Sequence, residues 1–305
     1  MFSKVIVGFD GSEQARDALS LGATLTARDG ELIVCCVHRL KALSARVDPA
    51  APHLDREQAE QCIEETSALL DGPLTVRPLL ISGVGAAMVL QHTAEQQHAD
   101  LLVLGSSHRG AAGRVLVGSV TEETLHGAPC PVAVAPVGLN RSLKDPHIAN
   151  IAVAYDDDVQ AGGALRLAGA LAAETGAHLQ VIVIANTATP RVLGSTAGLA
   201  YSATVESRVQ MAEDDVAAAI ASLPSELRVS SDVRKGLPAE EILRSSHGVD
   251  LLLLGSHGRG PLGRVVLGSV SDAVVRAAAC PVLVVPFAVV AEGVAQPPSD
   301  TLAGA

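Results

Sequence analysis

The chain has 305 residues, 48% of them apolar and only 2% aromatic; that length suits about two domains, and the cores must be built from Val, Leu, Ile and Ala. Its formal net charge of −11 argues against a general nucleic-acid surface, which needs clustered Lys and Arg to replace counterions. The same charge favours solubility.

The opening residues, MFSKVIVGFD, contain no long apolar region and no small-residue cleavage pattern, so no secretory signal is read there. The longest nearly uncharged apolar run, Ala277 to Ala291, contains Pro281 and Pro286 and is too short to span a bilayer. Lys4 to Phe9 is a short apolar run and reads as a buried strand. Asp10-Gly11-Ser12 carries turn and cap chemistry. Apolar residues then recur at Ala15, Ala18, Leu19, Gly22, Ala23 and Leu25, which is helical spacing. Glu31 to Val37 is the second strand, and His38 to Pro52 is a connection of irregular composition. Leu54 to Leu70 predicts a helix, closed by Asp71-Gly72-Pro73. Leu74 to Ile81 is a third strand and Gly83 to Gln97 a third helix. Leu101 to Leu104 is apolar throughout, hence a strand buried on both faces. A helix is predicted from Ser119 to His126 and a fifth strand from Pro131 to Ala135.

Val137 to His147 reads as a linker, after which the order repeats. Ile151 to Tyr155 matches the first strand, with Asp156 where Asp10 stood. Leu179 to Ile184, Leu227 to Val233, Leu251 to Leu254 and Val282 to Val285 are the later strands. Ser202 to Ser222 and Pro238 to Ser246 are helices. From Glu292 the tail lacks periodicity and is expected to be disordered. The division is therefore 1–137, a linker 138–147, 148–288, and a tail 289–305. Strands alternating with helices predict an α/β fold: two tandem Rossmann-like domains, each a five-stranded parallel sheet with helices on both faces.

Five cysteines, Cys35, Cys36, Cys62, Cys130 and Cys280, show no C-x-x-C spacing. An odd count without a signal peptide suggests reduced, buried thiols and a cytoplasmic location. Glu64-Glu65 and Glu240-Glu241 read as solvated helix faces. No His/Cys/Asp cluster has metal-ligand spacing.

The strongest signal is a duplicated glycine loop. Leu251 to Ser271 reads LLLLGSHGRGPLGRVVLGSVS, and Leu101 to Thr121 reads LLVLGSSHRGAAGRVLVGSVT; the two agree at 13 of 21 positions. A glycine loop between a buried strand and a helix start is a backbone anion site, since free N–H groups there favour phosphate. Ser119 with Glu122, and Ser269 with Asp272, show capping-box spacing. The bland alternative is a tight turn that packs a helix on a sheet. The duplication weighs against it, because Gly-Arg and Gly-Ser elements keep their spacing in both copies. Neither a Walker A loop nor a G-x-G-x-x-G fingerprint is present.

The pattern G-x2-G-x9-G-[ST] at Gly255, Gly258, Gly268 and Ser269, with V-G-x-D-G-S after the first strand, resembles the universal stress protein family in its tandem-domain form. The resemblance covers nearly all of residues 2–288. It implies the HUP-type fold, ATP bound in each domain, possible Mg2+, and fifth strands pairing the domains about a pseudo-twofold. It implies binding residues Asp156, Ile184, Gly255, Ser256, Gly258, Arg259, Gly268, Ser269 and Val270 in the second half. In the first half it implies Gly8, Asp10, Val37, Gly105, Arg109, Gly118, Ser119 and Val120. The loop neighbours Ser106, His108, Gly110, His257 and Gly260 join them. Arg114 and Arg264 are candidates for the domain interface. Each half departs from the pattern once: His108 replaces the second glycine, and Asp156-Asp157-Asp158 replaces D-G-S.

The expected function is that of an ATP-binding stress-response regulator with no catalytic residues and little or no turnover. An unidentified protein partner and a possible homodimer go with it; nucleic acid and membrane do not. The alternatives are an interaction scaffold that has lost nucleotide binding in one or both domains, a slow ATPase, or an ATP-dependent ligase or nucleotidyltransferase. The last normally shows S-G-G-x-D-S or H-x-G-H, where this chain has FDGSEQA and YDDDVQA.

Overall fold

All ten strands join one sheet, in the order β3-β2-β1-β4-β5-β10-β9-β6-β7-β8. The computed structural model describes residues 1–39, 55–69, 74–107, 115, 117–142, 147–156, 159–186, 197–256 and 265–286. The first half runs β1 (Phe2–Gly8), α1 (Glu13–Leu25), β2 (Thr26–Arg39), α2 (Arg56–Leu69), β3 (Thr75–Gly83), α3 (Ala86–Gln97), β4 (Leu101–Gly105), α4 (Ser119–Leu125) and β5 (Val132–Ala135). A short helix, α5 (Leu139–Ser142), lies in the link. The second half runs β6 (Asn150–Tyr155), α6 (Val159–Thr175), β7 (His178–Asn186), α7 (Ala197–Ala221), β8 (Val229–Gly236), α8 (Pro238–Ser245), β9 (Leu251–Gly255), α9 (Ser269–Val275) and β10 (Val282–Val285). The tail expected to be disordered lies outside the described residues.

Successive strand residues feed opposite faces, as a two-residue period requires. Val5, Val7, Leu101 and Val103 enter one core, under α1 and α2. Ile6, Leu102 and Leu104 enter the other, under α3 and α4. Within each half all strand pairs are parallel, and β5 pairs with β10 antiparallel. Both cores therefore run across the seam: Ala133 and Leu283 lie in the first, Val134 and Val284 in the second. At the outer edge Pro78 sits in β3 opposite Val34, where its missing N–H costs no ladder bond.

Two expectations need correction and a third gains detail. β2 starts at Thr26 and not at Glu31. Thr26 leaves the helix extended, its hydroxyl donates to the Gly22 carbonyl at 2.7 Å, and it pairs with Phe2 before the register shifts. The linker, read as such from the sequence, gains one helical turn because Asp17, only 3% exposed, holds it. Its Oδ2 accepts the Gly138 N–H at 2.8 Å and its Oδ1 the Asn140 N–H at 2.7 Å, starting α5. Glu241 is buried, unlike the exposed Glu240, and pairs with Arg244.

None of the five cysteines forms a disulfide, and all five are buried. Burial pushes the Cys35, Cys130 and Cys280 thiols up to about 12. Each proton leaves the unfolded chain at a lower pH, near 8.5. The stabilisation from these thiols is thus complete below that pH and fades as pH rises towards 12.

Two outcomes are expected. Leu283→Ala removes a side chain buried in the seam, and urea unfolding followed by circular dichroism should show a loss of about 2–5 kcal/mol, with both halves unfolding together. Titration with a disulfide thiol reagent at pH 8 should label five cysteines in denaturant and almost none in the native protein.

Candidate functional site

Strand order reverses between β1 and β4 in the first half and between β6 and β9 in the second. A ligand crevice lies outside the carboxyl ends of the strands at such a switch. Because β5 and β10 run antiparallel, the two crevices face opposite ends of the sheet.

In the first half β1 ends at Gly8, where a Cβ would meet the Leu104 side chain at 2.7 Å. The turn beyond it is tightly bonded. Asp10 Oδ1 accepts the Ser12 N–H at 3.1 Å and the Ser12 hydroxyl at 2.6 Å. Ser12 in turn caps α1, accepting the Ala15 N–H at 3.1 Å. Asp10 itself is exposed. Val37, half-buried near the end of β2, packs on the second core.

The other wall is β4 and α4. At Gly105 a Cβ would stand 2.2 Å from the Gln14 carbonyl oxygen, so this glycine lets the first turn of α1 approach. Ser106 is buried and donates to the Ala135 carbonyl at 2.6 Å, which commits its hydroxyl to the sheet. Thr121 donates back to the Gly105 carbonyl at 2.9 Å, tying the helix start to the strand end. Ser271 repeats this to Gly255 at 3.0 Å. Sequence reasoning missed this pair; the signal was a hydroxyl kept at both positions.

The helix starts one residue before the expected caps. Gly118 and Gly268 are the N-caps, and their carbonyls accept the first helical bonds, from Glu122 and Asp272, both at 2.8 Å. Ser119 and Ser269 are thus first helical residues, exposed, and the capping box is not formed. Val120 and Val270 follow, half-buried on the second core. Gly118 has ordinary angles, φ −87 and ψ 168. Among the described residues a Cβ there would meet nothing nearer than Ser107 at 3.6 Å. Neither its backbone angles nor packing against the described residues requires this glycine.

In the second half Asp156 follows β6 and is exposed, and Ile184 is half-buried near the end of β7. Arg208 reaches from α7 to the Asn186 carbonyl at 2.5 Å. Gly255 ends β9, and the Ser256 N–H bonds Val285 at 2.9 Å. The Ser256 hydroxyl is fully buried and finds no partner among the described residues. That differs from the committed Ser106. An orphaned buried hydroxyl is costly enough to call for an explanation.

His108, Arg109, Gly110, His257, Gly258, Arg259 and Gly260 lie outside the described residues, as do Asp157, Asp158, Arg114 and Arg264. The far ends of both loops are described. Val115 and Val265 are fully buried, and each bonds the opposite half: Val115 N–H to Ala278 at 2.9 Å, Val265 N–H to Ala128 at 3.2 Å. Each loop is therefore anchored by the other half.

Among the described residues no cluster of His, Cys, Asp and Glu could hold a metal ion by itself. A cavity of about 680 Å³ lies beside the link, with Gln14, Asp17 and Asp250 in its lining. Those carboxylates are committed to backbone: Asp250 Oδ2 accepts the Ala149 and Asn150 N–H groups at 2.9 and 2.8 Å. No helix among the described residues is long and apolar enough to cross a membrane.

The family model described as "Universal stress protein family" matches residues 1–136 and again 147–286. Universal stress protein Rv2005c of Mycobacterium tuberculosis is 31% identical over 294 residues, spanning 92% of this chain and 96% of the relative. Universal stress protein Rv2623 of the same species is 26% identical over 295 residues, spanning 92% and 95%. Among solved structures, a universal stress protein from Archaeoglobus fulgidus matches with TM-score 0.59 at 21% identity, covering 92% of this chain and 95% of that one. A functionally unknown protein from Pseudomonas aeruginosa matches with TM-score 0.63 at 16% identity, covering 95% of each. At these identities the structural likeness speaks to the fold.

The two first-half glycines should behave differently. Gly105→Ala forces a methyl onto the Gln14 backbone and should cost about 2–3 kcal/mol in urea unfolding. Gly118→Ala should leave the unfolding curve unchanged within about 0.5 kcal/mol.

Proposed function

Because this chain belongs to the universal stress protein family, we propose that it is a nucleotide-binding regulatory protein that takes ATP in the crevice of each half. The observation that carries this reading is Gly118. It stands at the strand-order switch with ordinary backbone angles and room for a Cβ. A glycine that the fold does not need leaves space for a ligand against the main chain. The N–H groups of Ser119, Val120 and Thr121 have no acceptor within their own helix, and they suit phosphate oxygens.

The residues present fit such a ligand. Gly118, Ser119 and Val120 would hold the phosphates in the first half, and Gly268, Ser269 and Val270 in the second. Half-buried Val37 and Ile184 offer apolar edges at the ends of β2 and β7. Where Mg2+ accompanies the nucleotide, exposed Asp10 and Asp156 are the carboxylates at hand. Among the described residues, no side chain at these strand ends is an oriented general base. Asp10 is tied to Ser12, so binding with little or no turnover is the expected behaviour. ATP then acts by stabilising one conformation or association state, which a partner protein reads. Five buried cysteines without a disulfide support a reducing, cytoplasmic setting.

The halves are unequal. Ser106 is committed to Ala135, whereas the Ser256 hydroxyl finds no partner among the described residues and would gain one from a ligand nearby. The second half is therefore the tighter site.

Isothermal titration with Mg-ATP should give two sites with micromolar constants, the second-half site being tighter. Gly118→Val should remove the weaker site and Gly268→Val the tighter one. Absence of both co-purified and titratable adenine nucleotide would favour the scaffold alternative. Rapid steady-state phosphate release by pure protein would mean an enzyme.

A further inference from the structure

Arg276 is the C-cap of α9 in the second half, yet its guanidinium serves both halves. Nε donates to both oxygens of Asp272 at 2.9 Å, within its own helix. Nη2 donates to Glu122 Oε1 of the first half at 2.8 Å. Glu122 and Asp272 are repeat equivalents. Each lies three residues beyond the exposed serine that opens its helix, Ser119 or Ser269. Three residues along a helix rise about 4.5 Å and return to much the same face. Each carboxylate therefore belongs to a residue less than one helical turn from the anion position proposed for its crevice.

Two carboxylates this near an anion site oppose phosphate. They also oppose each other, because both lie within reach of one guanidinium. Arg276 answers both problems. Its repeat equivalent is His126, and among the described residues no second arginine makes this bridge. Arg276 is 39% exposed, Glu122 44% and Asp272 37%, so as surface pairs they add little to folding. Their field at a multiply charged ligand is another matter, since several ligand charges act together.

We propose that Arg276 sets the anion affinity of both crevices from the seam, by holding Glu122 and Asp272 neutralised. This rests on the nucleotide reading above. Arg276 touches neither ligand, so it is a positioning and charge-setting residue that discriminates ATP from its uncharged parent nucleoside.

The test is titration of the full chain with Mg-ATP and with adenosine, at low and high salt, for wild type, Arg276→Gln, and the triple variant Arg276→Gln/Glu122→Gln/Asp272→Asn. Arg276→Gln should weaken ATP about 3- to 10-fold in each half at low salt and less than about 2-fold in 0.5 M salt. Adenosine affinity should not move. The triple variant, which lacks the ion pairs but also lacks both carboxylates, should bind ATP at least as tightly as wild type does. Equal losses for ATP and adenosine, or a triple variant no better than Arg276→Gln, would make Arg276 a fastener of the seam and overturn the inference. ATP binding by wild type with an unaltered Arg276→Gln overturns it alone. No ATP binding by wild type overturns the nucleotide reading and this inference with it.

Discussion

Three residue pairs form the seam: Val132 with Val284, Ala133 with Leu283, and Val134 with Val282. All six are fully buried and none is polar. Apart from each other, β5 and β10 would be short, apolar, unpaired edges, which is how sheets aggregate. Joined, they make one sheet and let both cores pass from half to half. Val115 and Val265 each donate a backbone N–H to a carbonyl of the opposite half. A crevice in one half thus depends on the folding of the other, and the two sites share a single structural fate.

Much of this fold was legible because parallel strands covered on both faces are written as continuous apolar runs. LLVL and LLLL can hardly be anything else between helical patterns. The duplication then doubled each reading. What failed were features without a local signature. Ser119 and Ser269 resemble caps, but the helices start on glycines that carry no side-chain signal. The same chemistry read correctly at Ser12, where Asp10 fixes the turn first. Glu241 looked solvated because Glu240 beside it is; only the fold shows it pressed against Gly236. The helical turn in the link depends on Asp17, more than a hundred residues away in sequence.

The candidate site was legible as a motif but not as a division of labour. Gly105 and Gly118 occupy neighbouring slots of one pattern, and nothing in the letters separates them. The structure does. Gly105 yields its space to the backbone of Gln14, while among the described residues nothing takes the space at Gly118. One glycine therefore serves the sheet, and the other is the one that the proposed ligand would use. The repeat raised both together. Internal repetition marks what is needed without saying for what.

Fusion of the halves changes what the seam can be. In a dimer of identical domains, any arginine facing the central carboxylates appears twice. Here the equivalent positions hold Arg276 and His126, so a single guanidinium spans Asp272 and Glu122. The same freedom gives Ala133 opposite Leu283 at the seam, and a committed Ser106 against an orphaned Ser256 in the loops. Packing at the seam must remain complementary, since a cavity or clash there is shared by both cores. The crevices face solvent at opposite ends and carry no such restriction. A tandem chain can therefore hold one sheet fixed while the residues around its two crevices diverge.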